Sequence, residues 1–287
     1  MYKIKSRYKL PIMMGLTLVG VGLSACTTGA IKSHAATNRY KDVQPTLFIH
    51  GYRSNYHAEQ HMANAAVKAG VTKTIVRAEI SKTGSVTLHG KLKASDHHPI
   101  VEINYQYSTN PDYYTNAQWA KNVVTKLQKT YNIKNFNFVG HSNGNLIIMY
   151  YLRNYANDKK LPKVRKIVDI AGHYNGILRQ NDEVNQMKLK SNGRPTYIDS
   201  DYRELLKLRS SLPKKQIAFL NIYGDLNNGT HSDGQVSNAS TLSLKYLVSG
   251  RAKSYQVKKF TGKSAAHSSL HENKNVDKAL IKFLWSK

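Results

Sequence analysis

Gly140-His141-Ser142-Asn143-Gly144 lies between an apolar run (Phe136, Phe138, Val139) and a second one from Asn145 to Leu152. The first run has strand character. The second is apolar almost all round, as a helix buried against a sheet is. A strand that hands over to a buried helix within five residues must turn sharply, and the two glycines remove side chains that would crowd the turn. The serine is left at the apex with the helix N-terminus facing the same space. This strand–turn–helix is the arrangement called a nucleophile elbow. It demands a sheet with helices packed on it.

The surrounding pattern agrees. Strand candidates are Thr46–Ile49, Thr74–Glu79, Val86–His89, Ile100–Tyr107, Phe136–Val139, Val164–Ile170, Ile217–Tyr223 and Ser254–Phe260. Between them, Ala120, Val123, Val124, Leu127 and Tyr131 recur at helical spacing, and Val276, Ala279, Leu280, Phe283 and Leu284 mark a last helix. Strands alternating with helices predict an α/β fold with a mostly parallel sheet. Residues 172–213 break the rhythm: they are polar, carry Asn-Gly turn signals, and predict one short helix near Asp201 with Glu204 at capping-box spacing. This segment reads as a cap inserted over the site.

Residues 1–25 read as an export leader, with Lys3, Lys5, Arg7 and Lys9 ahead of an apolar stretch too short to span a bilayer comfortably. It ends in Leu23-Ser24-Ala25-Cys26, which resembles the lipobox of bacterial lipoprotein precursors and implies lipid attachment at Cys26. Cleavage near His34-Ala35-Ala36 is the alternative, and would release the chain. Cys26 is the only cysteine, so no disulfide forms within the chain. Residues 26–44 read as a tether and 45–287 as one catalytic domain, large enough for a sizeable core.

The net charge is +26, from 43 Lys and Arg against 17 Asp and Glu. Such an excess implies contact with polyanions, or equally serves solubility and non-specific adhesion to the wall. For an exported chain the polyanions are anionic envelope polymers or lipid headgroups, not nucleic acid. No nucleotide-binding glycine loop occurs. His57-Ala-Glu-Gln-His61 lacks the glutamate directly after the first histidine that a zinc helix needs. Neither a metal nor a cofactor is expected.

An activated serine needs a base, and the base an orienting acid. Asp225 and Asp233 both follow the strand Ile217–Tyr223. Asp233, in Ser232-Asp233-Gly234-Gln235-Val236, is the preferred acid because the stretch is similar to the Asp-Gly-x-Val of bacterial lipases. Asp225 could as easily fix its loop, and Asp169 falls inside a strand. His267 precedes the final helix and is preferred as base over His271, expected within that helix's first turn. Asn143, after the serine, supplies one oxyanion N–H. Phe48-Ile49-His50-Gly51-Tyr52 resembles the His-Gly stretch of lipases and esterases, and by that resemblance Tyr52 supplies the other. His50 and His141 read as loop supports.

Taken together, the elbow, His-Gly, Ser-Asp-Gly-x-Val and Ala266-His267-Ser-Ser-Leu270 resemble the exported α/β-hydrolase group of low-GC Gram-positive bacteria often labelled cell-surface hydrolases of unknown function. The resemblance runs from about Pro45 to Trp285. It implies a carboxylic-ester hydrolase with a preference for small acyl groups. Ser142, His267 and Asp233 would carry the chemistry. The rival expectation is a polycationic, envelope-binding lipoprotein on the same scaffold. Within enzymes, a lipase, thioesterase, acyltransferase or amidase could use the same groups.

Overall fold

A computed structural model describes residues 39–286. The leader and Cys26 lie outside the described residues. The strands are β1 (Thr46–Ile49), β2 (Ile75–Ile80), β3 (Val86–His89), β4 (Ile100–Tyr105), β5 (Asn135–His141), β6 (Lys163–Ile170), β7 (Ala218–Asp225) and β8 (Ser254–Thr261). The helices are α1 (His57–Lys68), α2 (Tyr113–Tyr131), α3 (Asn143–Tyr155), α4 (Ser200–Leu205), α5 (Leu208–Ser211), α6 (Asn238–Leu242), α7 (Leu244–Val248) and α8 (Lys274–Trp285). All eight expected strands form, two with unchanged bounds and the rest with ends moved by at most two residues.

The strands make one sheet in the order β3-β2-β4-β1-β5-β6-β7-β8, parallel throughout except β3. Alternation along each strand splits the core. Leu47 and Ile49 of β1 join one cluster with α2 and α3, while Phe48 joins the other with α1 and α8. The register sets Ile49 beside Gly140 and Gly140 beside Asp169, so the carboxyl ends of β1, β5 and β6 open at one level. The loops leaving that edge build the site, as the general rule for open α/β sheets requires.

The elbow is held by close packing. A Cβ on Gly144 would lie 2.2 Å from the Ile49 carbonyl oxygen, and one on Gly140 would lie 2.5 Å from Asn145 Oδ1. Ser142 itself sits at φ 53°, ψ −122°, a region costly for a residue with a side chain. Asn145 helps to fix it by donating from Nδ2 to the Ile170 carbonyl at 2.8 Å. Residues 143–152 of α3 are all buried.

Two expectations are corrected. Residues 40–44, read as the end of a tether, belong to the packed domain. Val43 is buried, the Tyr40 ring lies 5.1 Å from that of Tyr131, and the Gln44 side chain donates to Asn137 at 3.0 Å. Their few apolar groups give no sign of this in the sequence, yet Tyr40 packs on the end of α2 and Gln44 bonds β5 in the middle of the sheet. The helix expected near Asp201 begins at Ser200 and is capped by Asp199, which accepts from the Tyr202 N–H at 2.7 Å. With Asp199 as the cap, the capping-box position falls on Tyr202, and Glu204 instead bonds Arg153 and Tyr114 at 2.7 Å each.

Candidate active site

Ser142, Asp233 and His267 come from three loops and converge. Ser142 Oγ stands 2.9 Å from His267 Nε2. His267 Nδ1 stands 2.8 Å from Asp233 Oδ2. Asp233 is acceptor-only when ionised, so the ring proton sits on Nδ1 and the Nε2 lone pair faces the serine hydroxyl. The other carboxylate oxygen, Oδ1, accepts from the N–H groups of Gln235 at 2.9 Å and Val236 at 2.7 Å. The His267 N–H also donates to the Asp233 carbonyl at 2.9 Å, tying the two loops together by backbone as well as side chain.

The alternatives are engaged elsewhere. Asp225 pairs with Lys259 Nζ at 2.7 Å and accepts from Asn238 and the Asn227 N–H at 2.9 Å each, so it fixes its loop. Asp169 is fully buried in β6, and burial pushes its carboxyl up to about 7. His50 donates from Nδ1 to the Gly51 carbonyl at 2.9 Å, and its Nε2 accepts from the Tyr105 N–H at 3.2 Å. His141 donates from Nε2 to the His267 carbonyl at 3.0 Å. Both histidines are loop supports, as the sequence suggested. His271 departs from expectation: it lies in the short 3-10 segment Ser268–Glu272 ahead of α8, half-buried, with its ring centroid 4.7 Å from that of His141. A proline-free but irregular approach to α8, capped at Asn273, keeps it out of the helix.

Burial holds three neighbouring histidines below the ordinary imidazole range: His141 well below it, His173 at about 4, and His271 to a lesser degree. The charge of His267 would add to each depression. They therefore stay neutral around a ring that is built to accept a proton.

The Asn143 and Tyr52 N–H groups find no acceptor among the described residues. Asn143 opens α3, and its side chain accepts from the Tyr113 hydroxyl at 2.9 Å. The Gly51–Tyr52 turn runs close by, since a Cβ on Gly51 would lie 3.4 Å from that of Ser142. A cavity of about 740 Å³ opens over Ser142, bounded by these turns and by Tyr113, His173, Ile177 and Gln235. His173, Ile177 and Gln180 come from the segment 172–213, which does roof the site. His61 Nε2 of the discounted histidine pair is 2.9 Å from Asp277, and His57 bonds Gln60 at 2.9 Å.

Sequence reasoning missed His173 and Tyr113. Each sits just past the carboxyl edge of the sheet, His173 after β6 and Tyr113 after the β4 loop. Position at that edge was the one signal available.

Fold and elbow together define an α/β hydrolase. The chain belongs to the family described as alpha/beta hydrolase of unknown function (DUF915), whose model matches residues 33–287. Among solved structures it is similar to the lin2722 gene product of Listeria innocua, at 24% identity and TM-score 0.75 over 85% of this chain and 95% of that one. It is also similar to a candidate cell surface hydrolase of Lactobacillus plantarum WCFS1, at 22% identity and TM-score 0.64 over 85% and 90%. These likenesses speak to the fold. No curated protein sequence matches the chain.

Proposed function

We propose that the protein is a serine carboxylic-ester hydrolase. The observation that carries this reading is the unbroken relay from Ser142 Oγ through His267 to Asp233, at 2.9 and 2.8 Å. His267 takes the serine proton as Oγ attacks the ester carbonyl. Asp233 holds the ring in the useful tautomer and stabilises its cation. The N–H groups of Tyr52 and Asn143 receive the negative charge that develops on the carbonyl oxygen. The alcohol leaves with the proton from His267, and water then releases the acid by the same steps in reverse order.

A chromogenic ester series, short to long acyl, tests this. Turnover should fall with chain length and vanish in Ser142→Ala, whose thermal melt should match the parent. Activity that survives Ser142→Ala would sink the assignment.

We infer further that the chain is exported and held at the membrane by lipid on Cys26. Lys3 to Lys9, the short apolar stretch and Leu23–Cys26 support this.

A further inference from the structure

We propose that the cleft over Ser142 takes a neutral O-acylated polysaccharide, with exposed tyrosines along it as platforms for the sugar rings. The chemistry rests on the ester-hydrolase reading above; the identity of the alcohol is new.

The walls of the cleft are the first observation. Apart from the reacting groups, they present Asn110, Gln180, Gln235, Ser54 and Ser268 beside one cation, Arg53, and one carboxylate, Asp201, while Ile177, Pro111 and the methyl of Ala58 supply the apolar contact. The Gln180 and Gln235 side chains are exposed, and neither appears in a side-chain hydrogen bond among the described residues. A long acyl chain gains little from such walls, since each methylene needs apolar surface to leave water. A hydroxyl-rich ligand offers each amide both a donor and an acceptor.

The second is length. A further cavity of about 410 Å³ shares Pro111, Tyr113 and Asp201 with the larger one and continues past them to Tyr114 and Tyr150. The larger cavity alone is already of a size that holds a small ligand. The continuation suits a chain of linked units.

The third is where three of the four exposed tyrosines among the described residues fall, the fourth, Tyr197, lying outside these cavities. Tyr52 (49% exposed) lines the main cavity, Tyr114 (43%) its continuation, and Tyr107 (41%) a small cavity beside Asn143. Tyr114 is braced: its hydroxyl donates to Glu204 at 2.7 Å, Tyr150 packs edge-on at 5.0 Å, and Arg153 lies 5.1 Å from its ring. A rigid amphipathic ring offers an apolar face with little entropy to lose. The C–H faces of a pyranose match that surface, and its hydroxyls match the amides. Charge favours the neutral polymer: although the whole chain is strongly cationic, the continuation sets Asp112, Asp201 and Glu204 against Arg203, with Arg153 paired to Glu204, and so offers a polyanion no cationic surplus.

In the reaction Ser142 Oγ bonds to the acyl carbon and the sugar oxygen leaves, carrying the proton from His267. Water then cleaves the acyl-serine bond, giving a short carboxylic acid and free Ser142.

Two assays separate the claims. Turnover of p-nitrophenyl acetate tests the serine chemistry by itself. Affinity electrophoresis of Ser142→Ala in gels holding acetylated xylan tests the polymer site, and retardation is expected. Adding Tyr114→Ala should weaken it about tenfold, the loss of one aromatic platform. Acetate release should agree: the ratio of kcat/KM on acetylated xylan to that on p-nitrophenyl acetate should also fall about tenfold in Tyr114→Ala. No retardation, retardation by anionic polyglycerol phosphate alone, or retardation unchanged in Tyr114→Ala would each overturn the proposal. Retardation without turnover of p-nitrophenyl acetate would remove the ester reading and leave the polysaccharide site standing.

Discussion

His141, His173, His267 and His271 crowd around Ser142, yet His267 alone of these four has a carboxylate on its ring nitrogen. That contact converts a cluster of similar rings into one base and three neutral neighbours. Asp233→Asn should accordingly lower kcat on a short ester by about 10⁴-fold, because the amide no longer fixes the tautomer that accepts the serine proton. Asp225→Asn should leave kcat within a few-fold of the parent and lower the melting temperature instead, since Asp225 holds its own loop to Lys259 and Asn238. Equal losses in the two variants would contradict the assignment of the acid. Both candidates could be ranked from sequence because acid, base and elbow sit in short local patterns. His173 and Tyr113 carry no such pattern. What brings them to the site is sheet register and helix packing, which are properties of residues distant in the chain.

The elements show the same division. Strands were legible as apolar runs, and α3 as a helix without a polar face. The cap was legible as an interruption with one short helix, and no further. Its order comes from buried side chains reaching far along the chain: Asn175 Nδ2 donates to the Tyr197 carbonyl at 2.7 Å, and its Oδ1 accepts from the Asp199 N–H at 3.0 Å. Such bonds leave no periodicity to read. At the start of α3, Gly144→Ala should cost about 3 kcal/mol or more, because the added methyl meets the fixed Ile49 carbonyl, and chemical denaturation would measure it.

On the other face of the sheet, α1 presses Glu59 and β4 holds Glu102 in the interior. Burial pushes Glu59 up to about 8, with a further rise from Glu102, and burial pushes Glu102 up to about 7. Raised carboxyls bind protons more tightly folded than unfolded, so their contribution is fully present below the ordinary carboxyl range and is lost as pH rises through the folded values. Buried His141 and His173 act oppositely, losing stability as pH falls below 6.5. Above 6.5 the loss from Glu59 and Glu102 is no longer opposed by these two histidines. Denaturation midpoints should therefore fall between pH 6.5 and 8, and Glu59→Gln should flatten that decline. A parent midpoint that rises across this window would refute the account.

The molecule as a whole carries 43 cationic side chains against 17 acidic ones, and some of the acids are buried or paired. Among the described residues no helix is long and apolar enough to cross a membrane. Attachment to an envelope would then have two sources, lipid on Cys26 and attraction of the basic surface to anionic headgroups. They differ in their response to salt. Each cation near an anionic surface contributes about 1 kcal/mol, but the field shrinks to about 3 Å at 1 M salt. A buried acyl chain is indifferent to screening. Membranes carrying the natural chain should therefore retain it through a wash at about 1 M salt, while Cys26→Ser is retained at low salt and released by the wash. Fractionation and immunoblotting would read both. Release of the natural chain by the same wash would remove the lipid anchor and leave charge as the whole of the attachment, the behaviour expected of a polycationic envelope binder. Ser142→Ala should follow the natural chain in every fraction, since neither lipid on Cys26 nor attraction of surface charge involves the serine.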